Sequence, residues 1–184
     1  MGMCYIILSI DPDRRNTMLS FSGIYNISPE KLITNGYQIH IIWDDAIDCN
    51  YWSISGNSKE LLEISFNKQT NLIMALYLIL VDEVVDNRTN KPIKIYSDAE
   101  INYGLPMLMY QNIDNTYYVR EDKSFSVIIW DNEFEIIFSN EKPITKIVNH
   151  RTCFYFDENR FLNRVCFENL ISSEVEIIRQ TFLY

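Results

Sequence analysis

Leu61-Leu62-Glu63-Ile64-Ser65-Phe66, then Asn67-Lys68-Gln69-Thr70-Asn71, then the apolar run Leu72 to Val81: this stretch decides how the chain is read. It is strand, short polar turn, strand, and a short turn between two apolar runs makes antiparallel neighbours. Asn71 stands where such turns often carry glycine and can itself take a left-handed conformation. The plan recurs twice. Phe125–Trp130 breaks at Asp131-Asn132-Glu133 and resumes as Phe134–Phe138. Thr152–Phe156 breaks at Asp157–Arg160 and resumes as Phe161–Phe167. An aromatic residue closes each first strand: Phe66, Trp130 or Phe156.

Outward from these hairpins, Cys4–Ile10, Tyr37–Trp43, Tyr51–Ser55 and Ile144–Asn149 also read as strands. Ser28-Pro29-Glu30 reads as the start of a short helix or as a turn. Asp86–Gly104 is the most polar stretch and reads as the main loop region, with a short strand at Ile93–Tyr96. Ser173-Glu174-Val175-Glu176 matches a capping box, and Val175, Ile178 and Phe182 share a helical face. The expected fold is α+β and mainly β, an antiparallel meander-like sheet of several hairpins with a short C-terminal helix over 173–182. Residues 1–184 are expected to form a single domain, since that length suits one core.

Composition narrows the function. The net charge is −9, which repels phosphate backbones and anionic membranes, so neither nucleic acid nor membrane is an expected partner. The same charge suits a basic protein, because opposite fields speed encounter. Cys4, Cys49, Cys153 and Cys166 form no C-x-x-C pair and no disulfide framework is indicated, which fits a reducing, cytoplasmic setting. The N-terminus has no basic n-region or cleavage site, and Leu72–Val81 is too short to span a bilayer as a helix.

No phosphate loop, nucleophile elbow or zinc spacing is present. His40 and His150 read as polar positions on half-buried strands rather than as bases. Asp44 with Asp45, and Asp157 with Glu158, are adjacent and so face opposite sides of a strand. The expectation is therefore a non-enzyme with no cofactor and no metal.

The acids are distributed unevenly. Residues 32–58 hold Asp44, Asp45 and Asp48 without Lys or Arg. Residues 69–87 hold Asp82, Glu83 and Asp86, and residues 124–141 hold Asp131, Glu133, Glu135 and Glu141, again without Lys or Arg. Trp43, Tyr51, Trp52 and Trp130 stand beside these acids, and aromatics flanked by carboxylates make good protein contacts. The expected binding residues are Asp44, Asp45, Asp48, Asp131 and Glu133 for charge, with Trp52 as anchor.

The run from Leu61 to Ile73 resembles a strand–turn–strand pattern of immunity proteins from bacterial polymorphic toxin systems. Phe154-Tyr155-Phe156-Asp157 through Leu162, Phe167-Glu168-Asn169-Leu170 and Ser173-Glu174 resemble their final hairpin and helix. Immunity proteins of contact-dependent growth inhibition are the nearest group. The resemblance implies a cytoplasmic toxin inhibitor that binds one cognate toxin domain, frequently a basic nuclease, and blocks its active site or substrate path. It carries no catalytic residues. Two other classes suit the same residues: a small-ligand-binding or enzymatic β domain, and an assembly protein that self-associates through a sheet edge.

Overall fold

A computed structural model describes residues 19–26, 29–34, 38–44, 48–56, 59–88, 98–110 and 118–183. Its strands are β1 (Leu19–Tyr25), β2 (Lys31–Thr34), β3 (Ile39–Ile42), β4 (Cys49–Ile54) and β5 (Leu61–Asn67). They continue as β6 (Ile73–Leu80), β7 (Glu83–Asp86), β8 (Glu100–Tyr103), β9 (Leu105–Tyr110) and β10 (Tyr118–Glu121). The last are β11 (Ser126–Ile129), β12 (Phe134–Ile137), β13 (Thr145–Asn149), β14 (Thr152–Phe156) and β15 (Leu162–Phe167), before helix α1 (Ser172–Leu183).

The mainly-β reading with one C-terminal helix holds, but the strands form two large sheets rather than one meander. A six-stranded sheet runs β10-β4-β5-β6-β3-β2, and a seven-stranded sheet runs β7-β11-β12-β15-β14-β13-β8. Most pairs are antiparallel; β10 with β4, β7 with β11, and β8 with β13 are parallel. Two of these parallel pairs cross between the halves of the chain. β7 leaves the six-stranded sheet after β6 and lies beside β11, while β10, just before β11, lies beside β4. Each sheet thus takes an edge strand from the chain segment that leads into or out of the other. The β1–β9 ribbon forms isolated bridges to both, Ser20 to Phe161 and Leu72 to Met107.

Alternation places one face of each sheet in a common core. Ile39, Ile41, Trp52, Ile64 and Leu76 of the six-stranded sheet join Val127, Phe134, Phe154, Val165 and Phe167 of the seven-stranded sheet in one buried cluster. Trp43 meets Phe154 at 5.4 Å between ring centroids, Trp52 meets Phe138 at 5.7 Å, and Phe134 stacks on Phe167 at 4.7 Å.

The three hairpins read from sequence are present, and their turns have local causes. Asn67 Oδ1 accepts the backbone N–H of Gln69 at 2.9 Å and of Thr70 at 3.0 Å, and Asn71 takes φ 59°. Asp157 Oδ1 accepts from the N–H of Asn159 at 2.8 Å and of Phe161 at 2.9 Å. Residues 4–10, Tyr37, Ser28 and 93–96 lie outside the described residues. Pro29-Glu30 leads directly into strand β2, so no helix begins there. The polar stretch read as loop contains strand β8. Helix α1 is capped earlier than Ser173: Glu174 Oε2 accepts the Ile171 N–H at 3.0 Å, so Glu174, not Glu176, reaches back. The helix contacts β2 and β7, the terminal strands of the two sheets. Arg179, buried on its inner face, donates to Asp86 at 2.9 Å.

Candidate functional site

The residues expected to bind a partner separate into three groups. Asp44 and Asp48 are exposed between β3 and β4, beside the β5–β6 turn; Asp48 pairs with Lys68 at 2.7 Å. Asp131 is exposed in the β11–β12 turn, 3.7 Å from the buried Arg179. Asp45 lies outside the described residues.

Two of the six are not at the surface. Trp52 is only 2% exposed, and its Nε1–H donates to Glu121 Oε1 at 2.9 Å inside the core. Period two explains this: Trp52 and Ile54 point inward while Tyr51 points out. It is a core residue that cannot reach a partner while the sheet is closed. Glu133 is 8% exposed and turns onto the outer face of the seven-stranded sheet, beside Cys166 and Glu168. The acidic windows therefore do not contribute one continuous rim.

Exposed aromatic area lies elsewhere. Tyr103 and Ile101 of β8 are 67% and 55% exposed, and Tyr25 at the end of β1 is 55% exposed. The ends of β1 and β8 meet at Gly104, where an added Cβ would clash with the Tyr25 carbonyl oxygen and with Ile24 Cγ2. Gly104 has φ +135°, so both space and backbone require glycine. Glu100 is exposed on the same strand. Sequence reasoning missed this edge, since β8 is a four-residue strand inside a polar stretch.

The outer face of the seven-stranded sheet is unusual in chemistry. Register sets Lys146 opposite Tyr155, Tyr155 opposite Arg164, Cys153 opposite Cys166, and Cys166 opposite Glu135. Lys146 Nζ donates to Glu168 Oε1 at 2.8 Å, and Arg164 donates to Glu135 Oε1 at 3.0 Å. Burial draws the Arg164 guanidinium down to about 10, still charged at neutral pH. Burial, and next the charge of Glu168, push the Cys153 thiol up to about 12. Tyr155 is raised for the same first reason, burial.

His40 lies on the outer face of the six-stranded sheet, 3.0 Å from Gln38 Oε1 and edge-on to Tyr77. His150 is an exposed turn residue with φ 49° between β13 and β14. No helix among the described residues is long and apolar enough to cross a membrane. No known protein family matches the chain, and no curated protein does.

Proposed function

We propose that this protein is an inhibitory binding protein of the immunity type, which neutralises a cognate protein toxin by covering its active site or substrate path. The partner is a basic domain, of which a nuclease is the foremost kind. One observation carries this reading: on a chain of net charge −9, carboxylates stand exposed at Asp44, Asp48 and Asp131 while Tyr25, Ile101 and Tyr103 present exposed apolar and aromatic area. Asp44, Asp48 and Asp131 supply charge for steering, and the tight β11–β12 turn lowers the ordering cost of contact at Asp131. Tyr25 and Tyr103 replace Trp52 as anchors, being large side chains with few rotors. The resemblance of the hairpins and final helix to immunity proteins points the same way.

The test is charge reversal at Asp44, Asp48 and Asp131 together, alongside Tyr103→Ala, with the partner recovered from the native host. The reading expects the charge variant to associate more slowly and lose salt dependence, and Tyr103→Ala to dissociate faster. Unchanged affinity and salt dependence in both would remove these residues from the interface. The β8 edge also favours a second reading, self-association, which solution mass across concentration would reveal as a concentration-dependent dimer.

A further inference from the structure

The inner faces of both sheets are apolar, yet the outer face of the seven-stranded sheet gathers donors that serve metals. One thiol and two carboxylates converge there: the ligating atoms of Glu133, Cys166 and Glu168 all lie within 4.8 Å of one another. Glu133 stands just before β12, and the pairing of Phe134 with Phe167 sets it beside Glu168 across the strands. Cys166 is fully buried in β15. A second thiol adjoins them. Cys153 is the register partner of Cys166 on β14, is likewise fully buried, and is hydrogen-bonded to Glu168 and Lys146.

We propose that Cys153, Cys166, Glu133 and Glu168 form a binding site for a single zinc ion. The donor set is two sulfurs and two carboxylates, which zinc accepts in tetrahedral order and which magnesium and calcium do not share. Zinc bonds of about 2.0–2.3 Å put ligands roughly 3.3–3.8 Å apart, so the Glu133, Cys166 and Glu168 atoms, within 4.8 Å of one another, close by small side-chain rotations, and Cys153 joins them by turning its thiol from the neighbouring strand. The backbone frame is already fixed, because Cys153 and Cys166 lie on two hydrogen-bonded strands, Glu168 follows directly on one of them and Glu133 stands just before a third. An outer partner is in place too. Lys146 donates to Glu168 Oε1 at 2.8 Å, the kind of contact that orients a ligating carboxylate.

Binding balances as the exchange of two thiol protons, released to water, for one Zn²⁺ bound by two thiolates and two carboxylates. Zinc competes with protons for the two thiols, so affinity climbs with pH. Metal-site spacing rules miss such a set, because its residues stand at 133, 153, 166 and 168, brought together from three neighbouring strands. The sequence expectation of no metal rested on those short spacings.

The experiment uses the full chain, reduced and stripped with a chelator, then titrated with Zn²⁺ by calorimetry and with Co²⁺ by absorption. The expected result is one ion per chain, a thiolate-to-cobalt charge-transfer band, and a raised melting temperature with zinc. Cys166→Ser should weaken the band, leaving only the Cys153 contribution, and weaken zinc by more than about 100-fold, beyond the range of outer-partner changes. Cys49→Ser, on β4 of the other sheet, should keep both. Glu168→Gln, at a partly exposed side chain, serves if Cys166→Ser fails to fold, and should weaken zinc while retaining native circular dichroism. Absence of a cobalt band in the native chain overturns the proposal. So does zinc affinity unchanged in Cys166→Ser or Glu168→Gln.

Discussion

The two large sheets present alike inner faces and unlike outer ones. Both turn Ile, Leu, Val and Phe inward to the same cluster. Outward, the six-stranded sheet sets His40, Tyr77, Glu63, Ser53 and Arg120 in one row and Ile42, Ala75, Ser65, Tyr51 and Tyr118 in the next. That is a mixed, ordinary surface, with Tyr118 near Glu63 at 3.4 Å as a weak contact. The seven-stranded sheet instead buries Lys146, Tyr155, Arg164, Cys153, Cys166 and Glu135 among one another, wholly or in part. Strand directions match as well: from β10 to β2 and from β7 to β13, each sheet has one parallel pair followed by antiparallel ones. Architecture therefore follows from the inner periodicity, while the outer face is free to carry chemistry.

The largest effects should come from the shared inner layer. Phe154→Ala removes a fully buried ring that touches Trp43 across the sheets, and should cost about 3–5 kcal/mol in urea unfolding. Both sheets should unfold in one transition, since they share a core. A stepwise curve in which the six-stranded sheet survives would break the comparison at its root.

Next comes the contrast between outer faces. Arg164→Ala removes the ion pair that Arg164 makes with Glu135, the two side chains being 8% and 2% exposed, and should cost about 3–5 kcal/mol. Replacing both by apolar residues, Arg164→Met with Glu135→Leu, should recover most of that loss. Glu63→Gln on the other outer face should change stability by less than about 1 kcal/mol. Equal losses at Arg164 and Glu63 would mean that the two faces do not differ energetically.

Acid sharpens the role of the helix that contacts both sheets. Burial pushes Asp86 up from its ordinary 3.8, but hydrogen bonds from Arg179 and Arg88 outweigh it and hold the carboxyl low. Burial likewise opposes, and the Arg151 hydrogen bond and Ile171 N–H outweigh, at Glu174, ordinarily 4.5. Both folded values are depressed. Their stabilisation is therefore full above the ordinary values and is lost as pH falls through the lower, folded ones. Circular dichroism during acid titration should show loss of helix in that window, and Arg179→Met should flatten the Asp86 part. The smallest effect is at Asp48→Asn, whose pair with Lys68 is largely exposed; stability should move by under about 1 kcal/mol while partner on-rate falls.

Much of the inner layer was legible. Leu61–Phe66, Phe125–Trp130 and Phe154–Phe156 are apolar enough to betray buried strands, and their Asn and Asp turns are as short as hairpins need. The edge strands were not. Lys31–Thr34, Glu83–Asp86 and Glu100–Tyr103 are four-residue segments at sheet edges, and for the last two nothing local announces a parallel partner so distant in sequence. For the residues expected to bind a partner, only exposure and burial were legible, and only in part. Acids at turns do lie exposed at Asp44, Asp48 and Asp131, but Trp52 was judged by its acidic neighbours when its alternation with Ile54 places it inside. Glu133, Cys166 and Glu168 meet through β12–β15 register, which composition does not reveal.

Inhibitory binding is the central claim, and its most direct measurement is affinity purification of the tagged chain from its native host at low and moderate salt. The account predicts one stoichiometric basic protein, more firmly held at low salt, that arrests growth when expressed alone and is harmless when this chain is co-expressed. Recovery of the chain as a bare monomer or self-oligomer, from cells that express the neighbouring genes, would contradict it.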